Sequence, residues 1–318
     1  MEEENQYDKE DQPTIAVPFK KVYLWPNILF LIYAHIAGVY GLYLLFTSAK
    51  WTTIVFFMIS FIINTIGITA GAHRLYSHKS YKAKKPLQVF LMLCHCHAYQ
   101  RTLATWIRDH RLHHKYSDTD ADPHNINRGF FFAHYGWLLV KSHPEVEKRR
   151  ATVDMRDVYS NEVVMFQKRH KEWMLPLFAF IIPTVIPWLL GDTFSNSWHL
   201  NIFRFILTSN LTFLTNSLAH SWGYKPYDKT MRASQNLAVV AFNFGEGYHN
   251  FHHAFPWDYR SAELGNNKWN LVAKVIDFFE MLGLAYDLKM ASPGMIQTRR
   301  KRTGDGTDLW GREIKEEY

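Results

Sequence analysis

Residues 26–48 read PNILFLIYAHIAGVYGLYLLFTS and contain no Lys, Arg, Asp or Glu. A bilayer core asks for about 20 apolar residues in helical form, so this stretch is expected to cross a membrane rather than fill a soluble core. Residues 52–72, TTIVFFMISFIINTIGITAGA, repeat the pattern after a short link. Two later stretches qualify less cleanly: 175–191 is short and punctuated by proline, and 198–219 contains one charge, Arg204. The expected fold is an all-α membrane protein with four transmembrane helices in two hairpins. A mean hydropathy of −0.22 would pass for a soluble chain. The clumping of the apolar residues argues otherwise.

Lys and Arg crowd residues 73–173 and the region after His220, whereas 191–200 has neither and the 48–52 link has only Lys50. The positive-inside bias therefore places both termini and the long middle segment in the cytosol. The same bias accounts for the net charge of +7, so no nucleic-acid partner is invoked. Residues 1–24, beginning MEEENQYDKEDQP, do not resemble a signal peptide and read as a disordered acidic tail. Residues 25–290 read as one domain. Residues 291–318, basic from Gln297 onward, read as a polar C-terminal tail.

Cys94 and Cys96 are the only two cysteines, so no disulfide framework exists. They alternate with His95 and His97 in LCHCHAYQ, but alternate residues on a helix point in different directions. This cluster reads as packing within an interfacial helix. No Gly-rich phosphate loop or nucleophile elbow occurs.

The histidines carry the chemistry. DHRLHHK supplies His110, His113 and His114, and GYHNFHH supplies His249, His252 and His253. In each His-x-x-His-His triplet the first and last residues lie one helical turn apart, with the middle one beside the last. GAHRLYSH adds His73 and His78 where the second span ends, and NSLAH adds Asn216 and His220 where the fourth does. His73 and His78 would stand about 140° apart on an α-helix, so both reach one site only if the helix ends or bends between them. Nine imidazoles exceed what one tetrahedral metal uses and suit two metals of four or five ligands each, a di-metal site held by a cytosolic helical cap. Imidazole alone does not choose between zinc, copper and iron.

HRLYSH, DHRLHHK and GYHNFHH, in this order and between two pairs of spans, resemble the three histidine boxes of the membrane fatty acyl-CoA desaturases. The resemblance continues through KYSDTDADPHN, RGFFFAHYGWLLV, KPYDK and FPWDYRSAELG and covers residues 25–288. YGLYLLFTSAKW and TFLTNSLAH are similar to the insect branch, particularly moth desaturases of the Δ11 type, with Δ9 as the other expectation. It implies an enzyme of the endoplasmic reticulum membrane, in pheromone or other lipid biosynthesis. Such an enzyme uses a di-iron centre, O2 and two electrons to remove two hydrogens from adjacent methylenes of a C14–C18 acyl-CoA. An unactivated C–H bond offers no acidic proton to a general base, so a metal-based oxidant is required, and imidazoles survive it better than thiolates.

The resemblance assigns all nine histidines as iron ligands, with Asn216 orienting a metal-bound water. Asp109, Asp118, Asp122 and Glu246 are candidates to fix the imidazole tautomers. It points to Arg108 and Asp109 for the CoA head and to Gln100 and Trp106 at the tunnel mouth, assisted by Asn27, Trp137 and Lys141. Lys141-Ser142 stands where many relatives carry a basic pair, which puts one phosphate contact in doubt. Tyr76 and Phe213 stand where many carry Trp, and both keep an aromatic wall. On helical spacing, Thr65 and Phe61 lie about 12 and 18 Å before His73 along the second span and are expected to meet the methyl end of the chain. Nothing in the chain binds haem, flavin or NAD, so the resemblance implies electrons from NADH through cytochrome b5 reductase and cytochrome b5. The alternatives are a related di-iron hydroxylase, acetylenase or conjugase, and a non-catalytic metal-binding membrane protein.

Overall fold

The structure, a computed structural model, describes residues 21–264 and 270–314 and is predominantly helical. Three of the described helices are long and apolar enough to cross a membrane: α1 (Trp25–Thr47), α2 (Trp51–Ser77) and the later helix Glu162–Leu189. Pro26 opens α1, where a missing N–H costs nothing. Its large apolar side chains, among them Leu29, Ile36, Val39 and Phe46, are left exposed. Its buried face is mostly small, Ala34, Ala37, Gly38 and Gly41, with Leu44 at the far end. Such small residues four apart let helices approach closely in lipid. A Cβ on Gly41 would stand 2.1 Å from the His199 carbonyl oxygen of the partner helix.

Helix α2 changes its winding at Gly67 and continues as a π-helix through Ser77, all of it buried. Against this turn lies α3 (Lys85–Ala98). A Cβ on Gly67 would sit 2.3 Å from the Cys94 carbonyl carbon, so glycine is required there. Then follow α4 (Leu103–Lys115), capped by the Thr102 hydroxyl, and the short α5 (Pro144–Arg150).

Helix α6 (Glu162–Leu189) starts well before the expected span 175–191, because a polar first segment joins the apolar one across a kink at His170. A π turn at Leu177–Ile181 interrupts it and leaves carbonyls without helical partners. These are taken up by side chains. Arg204, on α7 (Phe194–Ser217), donates to the Ala179 carbonyl at 2.7 Å, the His97 carbonyl at 2.9 Å and Asn201 Oδ1 at 2.9 Å. The one charge in the fourth stretch is thus almost fully buried within the bundle. With 24 residues, α7 is long enough to span, but its buried face carries Asn196, Asn201, Arg204 and Thr208.

The cap is completed by α8 (Leu237–Phe242), α9 (His249–Ala254), α10 (Leu271–Met281) and α11 (Pro293–Thr303). Of the expected N-terminal tail, residues 1–20 lie outside the described residues. Residues 291–314 are not the tail expected from composition. The Ser292 hydroxyl caps α11, Ile296 and Leu309 pack against Tyr227, Phe251 and Phe255, and Arg299 and Arg300 pair with Asp228 and Glu263. With one buried residue, α11 has almost no apolar periodicity to read.

Candidate metal centre

The π turn of α2 solves the geometry of His73 and His78. In a helix closed by bonds between residues five apart, such as His78 N–H to His73 C=O at 3.1 Å, the two side chains come to one face instead of diverging, and their rings meet edge to face. Their ring centroids are 4.9 Å apart. Helix α4 presents His110, His113 and His114, α9 presents His249, His252 and His253, and His220 follows the end of α7. The nine divide into two groups. His73, His78, His110, His114 and His252 form one; His113, His220, His249 and His253 form the other. Within each, the ligand nitrogens lie within 4.8 Å of one another. The groups adjoin through the stacked rings of His114 and His253, 4.2 Å apart.

The donor set fits a cation. His73 Nδ1 lies 3.0 Å from Glu246 Oε2, His113 Nδ1 2.9 Å from Asp122 Oδ2, and His220 Nδ1 3.0 Å from Asp118 Oδ1. A neutral imidazole whose Nδ1–H is given to a carboxylate offers a lone pair at Nε2. These Nε2 atoms turn inward. That of His73 lies 3.0 Å from His252 Nε2, that of His220 lies 2.9 Å from His249 Nε2, and that of His113 is buried without a hydrogen-bond partner. Converging lone pairs repel unless something positive sits among them. Burial, with help from neighbouring imidazoles, pushes His78, His110, His114, His249, His252 and His253 well below the usual imidazole value, so they stay neutral. The carboxylates behave oppositely. Burial alone would raise Glu246, but Arg74 and His73 hold it at about 2. Asp122 is likewise held at about 2, chiefly by His113.

Asp109 does not join Asp118, Asp122 and Glu246 in holding an imidazole. It is buried under three guanidiniums, Arg101 at 2.8 Å, Arg108 at 3.0 Å and Arg150 at 3.1 Å, which overcome the effect of burial and keep its carboxyl below the usual range. Arg108 is therefore turned to its neighbour rather than to a ligand space. Cys94 and Cys96 belong to neither imidazole group, and burial pushes their thiols up to about 12 and about 11.

A cavity of about 250 Å³, mostly apolar, runs past the metal centre, where Trp106, His110, Asn216 and His249 line it. Trp106 Nε1 donates to Gln100 Oε1 at 3.3 Å, and Gln100 Nε2 donates to Thr212 Oγ1 at 3.0 Å, which ties the ends of α3 and α4 to α7 across the cavity wall. Gln100 is aimed by strain. Its neighbours Tyr99 and Arg101 both have left-handed backbones, φ 55° and 66°, which non-glycine residues adopt at a cost.

A second cavity of about 440 Å³ shares Asn27, Arg101, Trp137 and Leu138 with the first and adds Lys141, Ser142 and Arg150. Asn27 Nδ2 fixes this rim by donating to the Leu138 carbonyl at 2.8 Å. Arg108 lines neither cavity; Arg101 and Arg150 supply the basic wall instead. Sequence reading missed both, since Arg150 sits in a Lys-Arg-Arg run that looks like a solvated helix face. It also passed over His124, which lines the first cavity with a buried, unpartnered Nδ1.

Phe213 lines the first cavity; Tyr76 does not. Phe61 and Thr65 are also absent from its wall, which ends on α2 at Ile68 and Thr69. The Thr65 hydroxyl turns back to the Phe61 carbonyl at 3.1 Å, and the Phe61 ring packs on Phe244. Regular α-helical spacing back from His73 placed both on the chain's path, but the helix changes its winding in between.

The paired imidazole groups lie within residues 49–271, which match the family model Fatty acid desaturase. The chain belongs to the fatty acid desaturase family. It is 54% identical over 314 residues to an acyl-CoA Delta(11) desaturase of Spodoptera littoralis, covering 96% of this chain and 92% of that protein. It is 53% identical over 293 residues to the (11Z)-hexadec-11-enoyl-CoA conjugase of Bombyx mori, covering 92% and 89%. Stearoyl-CoA desaturase 2 of Mus musculus is 45% identical over 305 residues, covering 95% and 84%.

Proposed function

We propose that this chain is an acyl-CoA desaturase that converts adjacent methylenes of a C14–C18 acyl-CoA into a double bond at Δ11 or Δ9. The reaction consumes O2, two electrons and two protons and yields two waters with the unsaturated chain. The observation that carries the reading is an apolar cavity that passes two groups of converging imidazoles and joins a basic cavity at its rim.

Two irons, when bound, supply the oxidising power that breaks unactivated C–H bonds. His73, His78, His110, His114 and His252 would hold one, and His113, His220, His249 and His253 the other. Glu246, Asp122 and Asp118 keep His73, His113 and His220 in the tautomer that offers Nε2. Asn216, one turn before His220, would orient a water beside the group His113, His220, His249 and His253. The wall of Trp106, Gln100 and Thr212 fixes which methylenes stand beside the metals, and its rigidity sets the position of the double bond. The CoA head lies in the basic cavity, with phosphates toward Lys141, Arg101 and Arg150, and Asn27 and Trp137 at the rim. Arg108 acts through Asp109, which it helps to hold.

Electrons come from NADH through cytochrome b5 reductase and cytochrome b5, drawn to a basic cytosolic face. The protein sits in the endoplasmic reticulum membrane with α7 as its fourth span and both termini cytosolic. A second reading, conjugation of an existing double bond, is favoured by the similarity to the Bombyx mori conjugase. Expression in a yeast lacking its own desaturase, followed by mass-spectrometric location of double bonds, decides between them. New monounsaturated C14–C18 chains support desaturation, and dienes formed only from supplied monoenes support conjugation. Membrane-inserted protein that yields neither overturns both.

A further inference from the structure

We propose that Arg111, which stands between His110 and His113 on α4 but bonds to no imidazole, is a positioning residue for the five-imidazole group: it fixes His78 by clamping the backbone before it and, through Asp157, the residue after it. This deepens the desaturase reading above and rests on its ligand assignment. All five N–H donors of the guanidinium find acceptors. Nε donates to the Ser77 carbonyl at 3.1 Å, Nη2 to the Tyr76 carbonyl at 2.7 Å and Nη1 to the Asp154 carbonyl at 2.7 Å. The remaining Nη1 and Nη2 donors share the Asp157 carboxylate, at 2.8 Å each.

The need for a clamp is local. His73, His113 and His220 are oriented by Glu246, Asp122 and Asp118, whereas among the described residues no carboxylate pairs with His78. Its orientation depends on the main chain. The carbonyls of Tyr76 and Ser77 fall in the last turn of the π-helix, where a helix end leaves acceptors without helical partners, and Arg111 takes both. On the other side of His78, Lys79 has a left-handed backbone, φ 51°, which persists in a non-glycine residue only where the surroundings hold it. Lys79 Nζ pairs with the same Asp157 at 2.9 Å, and the Lys79 carbonyl accepts from Lys289 Nζ at 2.8 Å. Partial burial alone would raise the Asp157 carboxyl, but Arg111 and Lys79 hold it at about 2, so the pair stays charged. His78 is thus gripped from both neighbours by one ion-paired unit, and its Nε2 is delivered 2.7 Å from that of His110, the residue before Arg111. Lysine cannot repeat this, because three donors on one nitrogen do not span two helix carbonyls and a carboxylate.

The test compares purified, iron-loaded wild type with Arg111→Lys and Asp157→Asn by chelator titration, elemental analysis and Mössbauer spectroscopy. Arg111→Lys should release one of its two irons at about tenfold lower chelator concentration than the wild type. The iron that remains should carry the spectrum left in Glu246→Gln, not the one left in Asp122→Asn. Asp157 is partly exposed, and asparagine keeps one acceptor oxygen, so Asp157→Asn should shift the same iron by less and serves if Arg111→Lys does not accumulate. Stearoyl-CoA binding should match the wild type in both, since neither residue lines a cavity of the substrate path. Unchanged chelator resistance in the variants overturns the clamp, as does equal loss from both imidazole groups together with weakened stearoyl-CoA binding, which marks a general loosening. A wild type that holds two irons but makes no unsaturated product in yeast removes the desaturase reading alone.

Discussion

Glu246→Gln separates the two metals. Glu246 accepts from Arg74 at 2.6 Å and lies 3.0 Å from His73 Nδ1, with all three side chains buried. Glutamine keeps the shape but has one carbonyl oxygen and no charge. It can satisfy Arg74 or His73, not both, and its amide then faces a donor. Breaking a buried pair on one side costs about 3–5 kcal/mol. Arg74 retains its bond to the Tyr259 carbonyl at 2.8 Å, so the lower end of that range is expected. Loss of a partner that orients a ligating imidazole weakens metal binding by about 10- to 100-fold. Only the five-imidazole group loses its support, while the His113 group keeps Asp122 and Asp118. Purified variant should therefore fall from two irons per chain toward one when titrated with a chelator that leaves the wild type loaded. Elemental analysis of the protein, with thermal unfolding alongside, reads the result. Two irons retained with unchanged chelator resistance would refute the reasoning.

Asp122→Asn should give the mirror image, losing iron from the four-imidazole group, and iron spectroscopy of the two variants should differ. His252→Ala and His113→Ala should each abolish unsaturated product in yeast while the protein remains in the membrane; activity in either contradicts the ligand assignment. On acidification the six imidazoles lowered by burial matter first. An unfolded chain takes up their protons as pH falls through about 6.5, whereas the folded chain does not, so stability and metal retention should decline below that pH. The depressed carboxylates of Asp122 and Glu246 add a further loss only as pH drops from the usual carboxylate range toward about 2. Iron content that is flat between pH 7 and 5 would count against this. Cys94→Ala with Cys96→Ala should leave the iron content at the wild-type level, because neither thiol reaches the imidazoles.

The two uncharged stretches and the His-x-x-His-His triplets were readable because each rests on short-range spacing: apolar run length for one, a single helical turn for the other. His73 with His78 required a change of helical winding, and the sequence indicated only that some departure was needed. A π turn depends on what packs against it, here α3 at Gly67, and leaves no local signature. The roles of Arg101 and Arg150 were hidden for a related reason. Both are ordinary surface cations until the fold brings Asp109 beneath them. Residues 291–314 were misread because a helix held by two ion pairs and one apolar side chain has the composition of a tail.

Arg204 sets a condition on how the molecule is made. An arginine near the middle of a helix entering a bilayer alone costs about 2.5–3.5 kcal/mol on insertion scales. Its acceptors here, the carbonyls of Ala179 and His97, lie on α6 and at the end of α3. A lone α7 would carry that guanidinium into lipid with only Asn201 of its own helix to meet it. With α7 as the proposed fourth span, the second hairpin would be the unit that leaves the translocation machinery, with the loosened turn of α6 already beside its neighbour. The ribosome delivers α3, then α6, then α7, so each acceptor is present before the cation arrives.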